Sequence, residues 1–98
     1  MNKDQILEIV TRNIKTLVDT LPQNQKFEVS ESTVLFGENS KIDSLSLVSV
    51  IVDLESSFSM EYGYDISLTD DRAMTRKISP FASVRSMVDY LDELINVK

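Results

Sequence analysis

Apolar residues recur at three- and four-residue spacing near the start of the chain: Ile6, Ile9, Val10, Ile14, Leu17, Val18 and Leu21. That spacing predicts an amphipathic helix. Leu21-Pro22 is its expected stop, because proline disfavours helical geometry in the residue before it. From Gln23 to Ile42 the periodicity breaks into a polar stretch with Phe27, Val29, Val34, Leu35 and Phe36 scattered through it. Such a length suggests a functional loop or a loop containing a short helical turn, tacked to the core by its apolar residues.

Periodicity returns after Asp43, and a second helix is expected from about Ser44 to Ser57, with Asp43 as its N-cap. Apolar residues at every second position of Tyr62-Gly63-Tyr64-Asp65-Ile66-Ser67-Leu68 suggest an extended connector. Tyr62 and Tyr64 would anchor that connector to the bundle. Thr69-Asp70-Asp71 resembles a helix start, with acids near the positive end of the dipole. This short helix should reach about Thr75, before Lys77-Ile78-Ser79-Pro80-Phe81 interrupts the chain. Ser83 then caps a last helix whose apolar side carries Val84, Met87, Val88, Leu91, Leu94 and Ile95. The expectation is one all-α domain over residues 1–98. It is a small four-helix bundle of three long helices and a short third one, with a long loop between helices 1 and 2.

A helical wheel of the second helix, with Ser44 at zero, sharpens the picture. Leu47, Val50, Ile51, Leu54 and Phe58 fall between roughly 240° and 340°, an arc wide enough for a core face. Leu45, Val48 and Val52 fall between roughly 40° and 100°, on the other flank of Ser44. Ser46, Ser49, Asp53, Ser56 and Ser57 occupy the rest. The helix thus carries more apolar surface than one core face requires. Either it is buried on two sides, or the second strip is exposed and docks partners.

Composition narrows the chemistry. The 98-residue chain has no cysteine and no histidine, which removes disulfides, thiolate catalysis, the commonest general base and the commonest metal ligands. Ten basic residues against sixteen acidic ones give a net charge of −6. That balance opposes nucleic-acid binding and favours partners with basic surfaces. No apolar run is long enough to span a bilayer, and Met1-Asn2-Lys3-Asp4 opens a helix pattern with no signal peptide. A cytoplasmic location is the default expectation. The adjacent carboxylates Asp70-Asp71 and Asp92-Glu93 point to different sides of their helices, and no calcium-loop spacing is present. Met60, Met74 and Met87 read as core or loop packing. No catalytic or metal-binding residues are assigned, because Ser44 has no base placed to activate it.

Asp43-Ser44-Leu45, followed by an apolar helix ending Leu54-Glu55-Ser56-Ser57-Phe58, resembles the carrier signature of acyl carrier proteins. The tripeptide alone is weak. Its position at a helix start, after a first helix and a long loop in a small acidic chain, extends the resemblance over nearly the whole sequence. The resemblance implies that Ser44, flanked by the motif residues Asp43 and Leu45, is the attachment point of 4′-phosphopantetheine. A phosphopantetheinyl transferase would transfer it from coenzyme A, and its thiol would hold acyl groups as thioesters. It further implies a monomeric, non-catalytic protein of lipid, polyketide or related biosynthesis. Acyl-loading and acyl-using enzymes with basic docking patches would be its partners, meeting a face made of Leu45, Val48, Val52 and Glu55.

Departures from the family pattern matter as well. Where many fatty-acid carriers have acids after the motif, this chain has Ser46 and Ser49. Glu55 is retained, beside neutral Ser56 and Ser57, and the connection from Ser59 to Val84 is longer than the family's. These differences suggest a carrier dedicated to a specialised pathway. A carrier-like helical interaction module without the prosthetic group is the alternative.

Overall fold

The computed structural model describes residues 1–37, 40–69, 73 and 75–96. Among them the regular structure is entirely helical: α1 (Lys3–Asp19), α2 (Ser44–Tyr62), α3 (Val84–Asn96) and a single 3-10 turn at Gln23–Gln25. Residues 70–72 and 74 of the short helix expected before Thr75 lie outside the described residues, as do Asp70, Asp71 and Met74. Ala73 and Thr75 are themselves helical, and Ala73 is buried. No described helix is long and apolar enough to cross a membrane.

α1 starts at a reciprocal cap. Gln5 N–H donates to Asn2 Oδ1 at 2.9 Å, and Asn2 N–H donates to Gln5 Oε1 at 3.0 Å, so two first-turn donors are satisfied together. The predicted stripe is the buried one: Ile6, Ile9, Val10, Ile14 and Val18 face inward, with Leu17 half-buried at the edge. The helix ends at Asp19, just short of the Leu21-Pro22 stop. α1 packs against both α2 and α3.

The loop after α1 is well tied down. Leu35 and Ile42 are buried, and Phe27 and Val29 rest half-buried on the core. Thr33 O accepts from Val84 N–H and Glu31 O from Arg85 N–H, both at 2.9 Å, so the loop satisfies first-turn donors of α3 that have no partner within that helix. Phe36 N–H donates to Phe81 O at 3.0 Å, and Ser83 Oγ accepts from Ser86 N–H at 3.2 Å, completing the cap predicted at Ser83. On α3 the buried residues are Val84, Met87, Val88, Tyr90 and Leu91. Tyr90 was not expected there.

α2 runs one turn further than its apolar periodicity indicated, to Tyr62 rather than Ser57. No helix breaker precedes Gly63, and Gly63 stops the helix by adopting a left-handed conformation at φ 74°. There Gly63 N–H donates to Ser59 O at 3.0 Å and Tyr64 N–H to Phe58 O at 2.9 Å, a closure that satisfies the last carbonyls. Tyr62 therefore belongs to the helix, half-exposed, its ring 6.4 Å from that of Phe58, and only Gly63 onward forms the connector. Tyr64 and Ile66 pack against the core and Leu68 is buried, which anchors the connector.

Candidate functional site

The site is built where the loop meets α2. Leu35 and Ile42 hold the two ends of the turn in the core, and Asp43 follows as the N-cap of α2. Asp43 Oδ1 accepts from Ser46 N–H at 2.7 Å, and Asp43 O accepts from Leu47 N–H at 2.9 Å. The hydrogen bonds from the Ser46 amide and hydroxyl, with a lesser one from the Leu45 amide, hold the Asp43 carboxyl below its usual range. Ser44 is then the first helical residue. It is exposed, and its hydroxyl has no hydrogen-bond partner among the described residues.

The wheel's ambiguity is resolved by burial. Leu47, Val50, Leu54 and Phe58 are buried and Ile51 is half-buried, as the core arc requires. The second strip is open: Leu45 is 84% exposed, Val48 57% and Val52 53%. The helix is therefore not buried on two sides. Met60, expected to pack, is 86% exposed; on the wheel it falls next to Ser49, beyond the strip and away from the core arc. Met87 is fully buried, as expected.

The charges on α2 are few and mostly committed. Glu61 pairs with Arg12 of α1 at 3.0 Å. Glu55, expected on the partner face, is half-buried, and its Oε2 accepts from Leu68 N–H at 2.9 Å. Its carboxylate fastens the connector to α2. Only Asp53 has no partner among the described residues. Ser49 and Ser56 are exposed, so apart from Asp53 the open side of α2 is hydroxylic and apolar in a chain of net charge −6.

The acidic pair on α3 is divided between separate partners. Asp92 accepts from the Asn96 amide at 2.8 Å, and Glu93 pairs with Arg76. Among the described residues no group of three or more potential ligands is placed to hold a metal ion. An open hollow of about 470 Å³ lies against the first loop, lined by Phe27, Ser30, Thr33, Val34 and Lys41 among others, and neither Ser44 nor Leu45 lines it.

Sequence reasoning missed Ser40, whose hydroxyl bonds inside the turn leading to Ser44. The one available signal was a small hydroxylic residue two positions before Ile42, a spacing that favours a side-chain-to-backbone turn. Comparison with family models, with curated proteins and with solved structures finds no match to this chain.

Proposed function

We propose that this chain is an acyl carrier: Ser44 accepts a 4′-phosphopantetheine arm and presents acyl groups to partner enzymes as thioesters. The observation that carries the reading is an exposed, unpartnered hydroxyl on the first residue of a capped helix, beside the open strip of Leu45, Val48 and Val52. The attachment chemistry balances with coenzyme A as donor. Ser44 Oγ bonds to the phosphorus nearer the pantetheine, that phosphorus loses its bond to the bridging oxygen, and adenosine 3′,5′-bisphosphate leaves. The hydroxyl proton passes to the transferase.

The residues present fit the group. A phosphodiester on Ser44 stands at the N-terminus of α2, where free amides and the helix dipole favour negative charge. The Asp43 carboxylate repels it, but both are solvated and salt screens the interaction. When bound, the arm supplies the thiol that a chain without cysteine lacks. Asp43 holds the helix start, and the apolar strip gives partner enzymes their contact area. Ala73 and Thr75 support the finer reading of the fold, a four-helix bundle with a short helix between α2 and α3.

The weakly charged open side of α2, where Asp53 is the one carboxylate without a partner among the described residues, supports a dedicated rather than a housekeeping role. Acids are absent at Ser46 and Ser49, and Glu55 serves the fold, so electrostatic steering toward basic docking patches is reduced. A cytoplasmic, monomeric, non-enzymatic carrier of a lipid or polyketide-type pathway is the resulting proposal. The test is intact mass after incubation with coenzyme A and a broad-specificity phosphopantetheinyl transferase. A gain of one phosphopantetheine on the native chain and none on Ser44→Ala supports attachment at Ser44. No gain favours an interaction module that uses the same strip without an arm. Efficient loading by a fatty-acid synthesis transacylase would refute the dedicated role.

A further inference from the structure

We propose that Ser40 is a positioning residue for Ser44, a role that rests on the carrier reading. Its side chain closes the turn from which α2 emerges. Ser40 Oγ lies 3.0 Å from Leu35 O and 3.2 Å from Ile42 O, and donates its one proton to them. The same oxygen accepts from Ile42 N–H at 3.0 Å. Ser40 N–H donates to Gly37 O at 3.1 Å, and Gly37 sits at φ 120°, a conformation that favours glycine.

Leu35 is 0% exposed and Ile42 7%, so both residues bridged by the hydroxyl are embedded in the core. The Ser40 hydroxyl ties these anchored positions together, and Asp43 and Ser44 follow Ile42 directly. The Ser40 hydroxyl thus braces the direction in which the chain enters α2, through one atom that both donates and accepts. An alanine at this position offers neither function, and the Ile42 amide loses its acceptor. Threonine keeps both. Ser40 touches neither the arm nor the reacting atoms; it acts through the placement of Ser44.

The experiment measures arm transfer from coenzyme A by a broad-specificity phosphopantetheinyl transferase to the native chain, Ser40→Ala and Ser40→Thr. Amide hydrogen exchange at Ile42 is measured alongside. Ser40→Ala is expected to lower kcat about tenfold, the scale of a small misplacement of a reacting group, with KM within about twofold because the docking strip is untouched. Ser40→Thr is expected to restore kcat to within about twofold of the native chain. The Ile42 amide is expected to be protected in the native chain and in Ser40→Thr. Native-like transfer by Ser40→Ala, a Ser40→Thr as slow as Ser40→Ala, or an unprotected Ile42 amide in the native chain each overturn the proposal. If Ser40→Ala does not fold, Ser40→Thr kinetics and Ile42 protection decide it. A native chain that never gains the arm refutes the carrier reading itself, whereas an armed native chain matched by Ser40→Ala refutes only the role of Ser40.

Discussion

Replacing Glu55 by alanine should destabilise the fold through a single amide. Leu68 is fully buried, and its N–H donates to Glu55 Oε2 at 2.9 Å. A hydrogen bond to a charged acceptor contributes about 1.5–3 kcal/mol net, and a donor left without a partner loses a comparable amount. Glu55 is itself half-exposed, so water reaches part of the vacated space and the lower end applies, about 1.5 kcal/mol. Urea unfolding followed by far-UV circular dichroism reads this directly. With a slope of about 1 kcal/mol/M for a small domain, the midpoint should fall by about 1.5 M. Glu55→Gln keeps an acceptor oxygen without the charge and should fall by only about 0.5 M. Arm transfer to Glu55→Gln should match the native chain, because the charge serves the connector and not the partner. A Glu55→Ala midpoint within about 0.3 M of native would show that the Leu68 contact does not hold the connector. A Glu55→Gln that folds normally but loses transfer would return Glu55 to the docking face.

The Asp43 cap sets a pH dependence with a definite sign. Its folded-state carboxyl titrates below the ordinary value of 3.8, so its contribution is present above that value and is lost as pH falls through the lowered folded one. The urea midpoint of the native chain should exceed that of Asp43→Ala at pH 7, and the gap should close as pH drops below 3.8. Gly63→Ala should cost about 1 kcal/mol, because no atom lies near the added methyl and the whole penalty is the left-handed backbone; its urea midpoint checks this. Replacing Val48 and Val52 by serine should leave stability within about 0.5 kcal/mol of native, since both are more than half exposed. The same pair of changes should raise the transferase KM, and an unchanged KM would remove the strip from the docking face.

The elements that the sequence announces are those whose signal is local. Apolar periodicity marks α1 and α3, Asp43 and Ser83 mark the starts of α2 and α3, and the wheel separates two apolar arcs on α2, of which the structure buries one and leaves the other open. What escapes is set by contacts between distant positions. The end of α2 was hidden by polar Ser56, Ser57 and Ser59 and by an alternating run that overlaps the last turn, although Gly63 is a stop signal available to inspection. Tyr90 is buried although tyrosine carries a polar tip, because its position on α3 faces the core. Glu55 reads as a surface acid until its bond to Leu68, 13 positions away, is seen. Ser44 and its strip were legible in sequence; the hydroxyl of Ser40 that braces the turn before them was not, since one side chain bonding to nearby backbone leaves no periodic trace.

The carbonyls of Glu31 and Thr33 that complete the first turn of α3 carry a consequence for folding order. Residues 31 and 85 stand 54 positions apart, and neither the loop nor the helix start is satisfied without the other. Closing so long a segment costs chain entropy before any contact compensates, so this pairing belongs to the late part of folding. During synthesis α1 and α2 emerge before α3, so the Glu31 and Thr33 carbonyls meet these two donors only once α3 has followed.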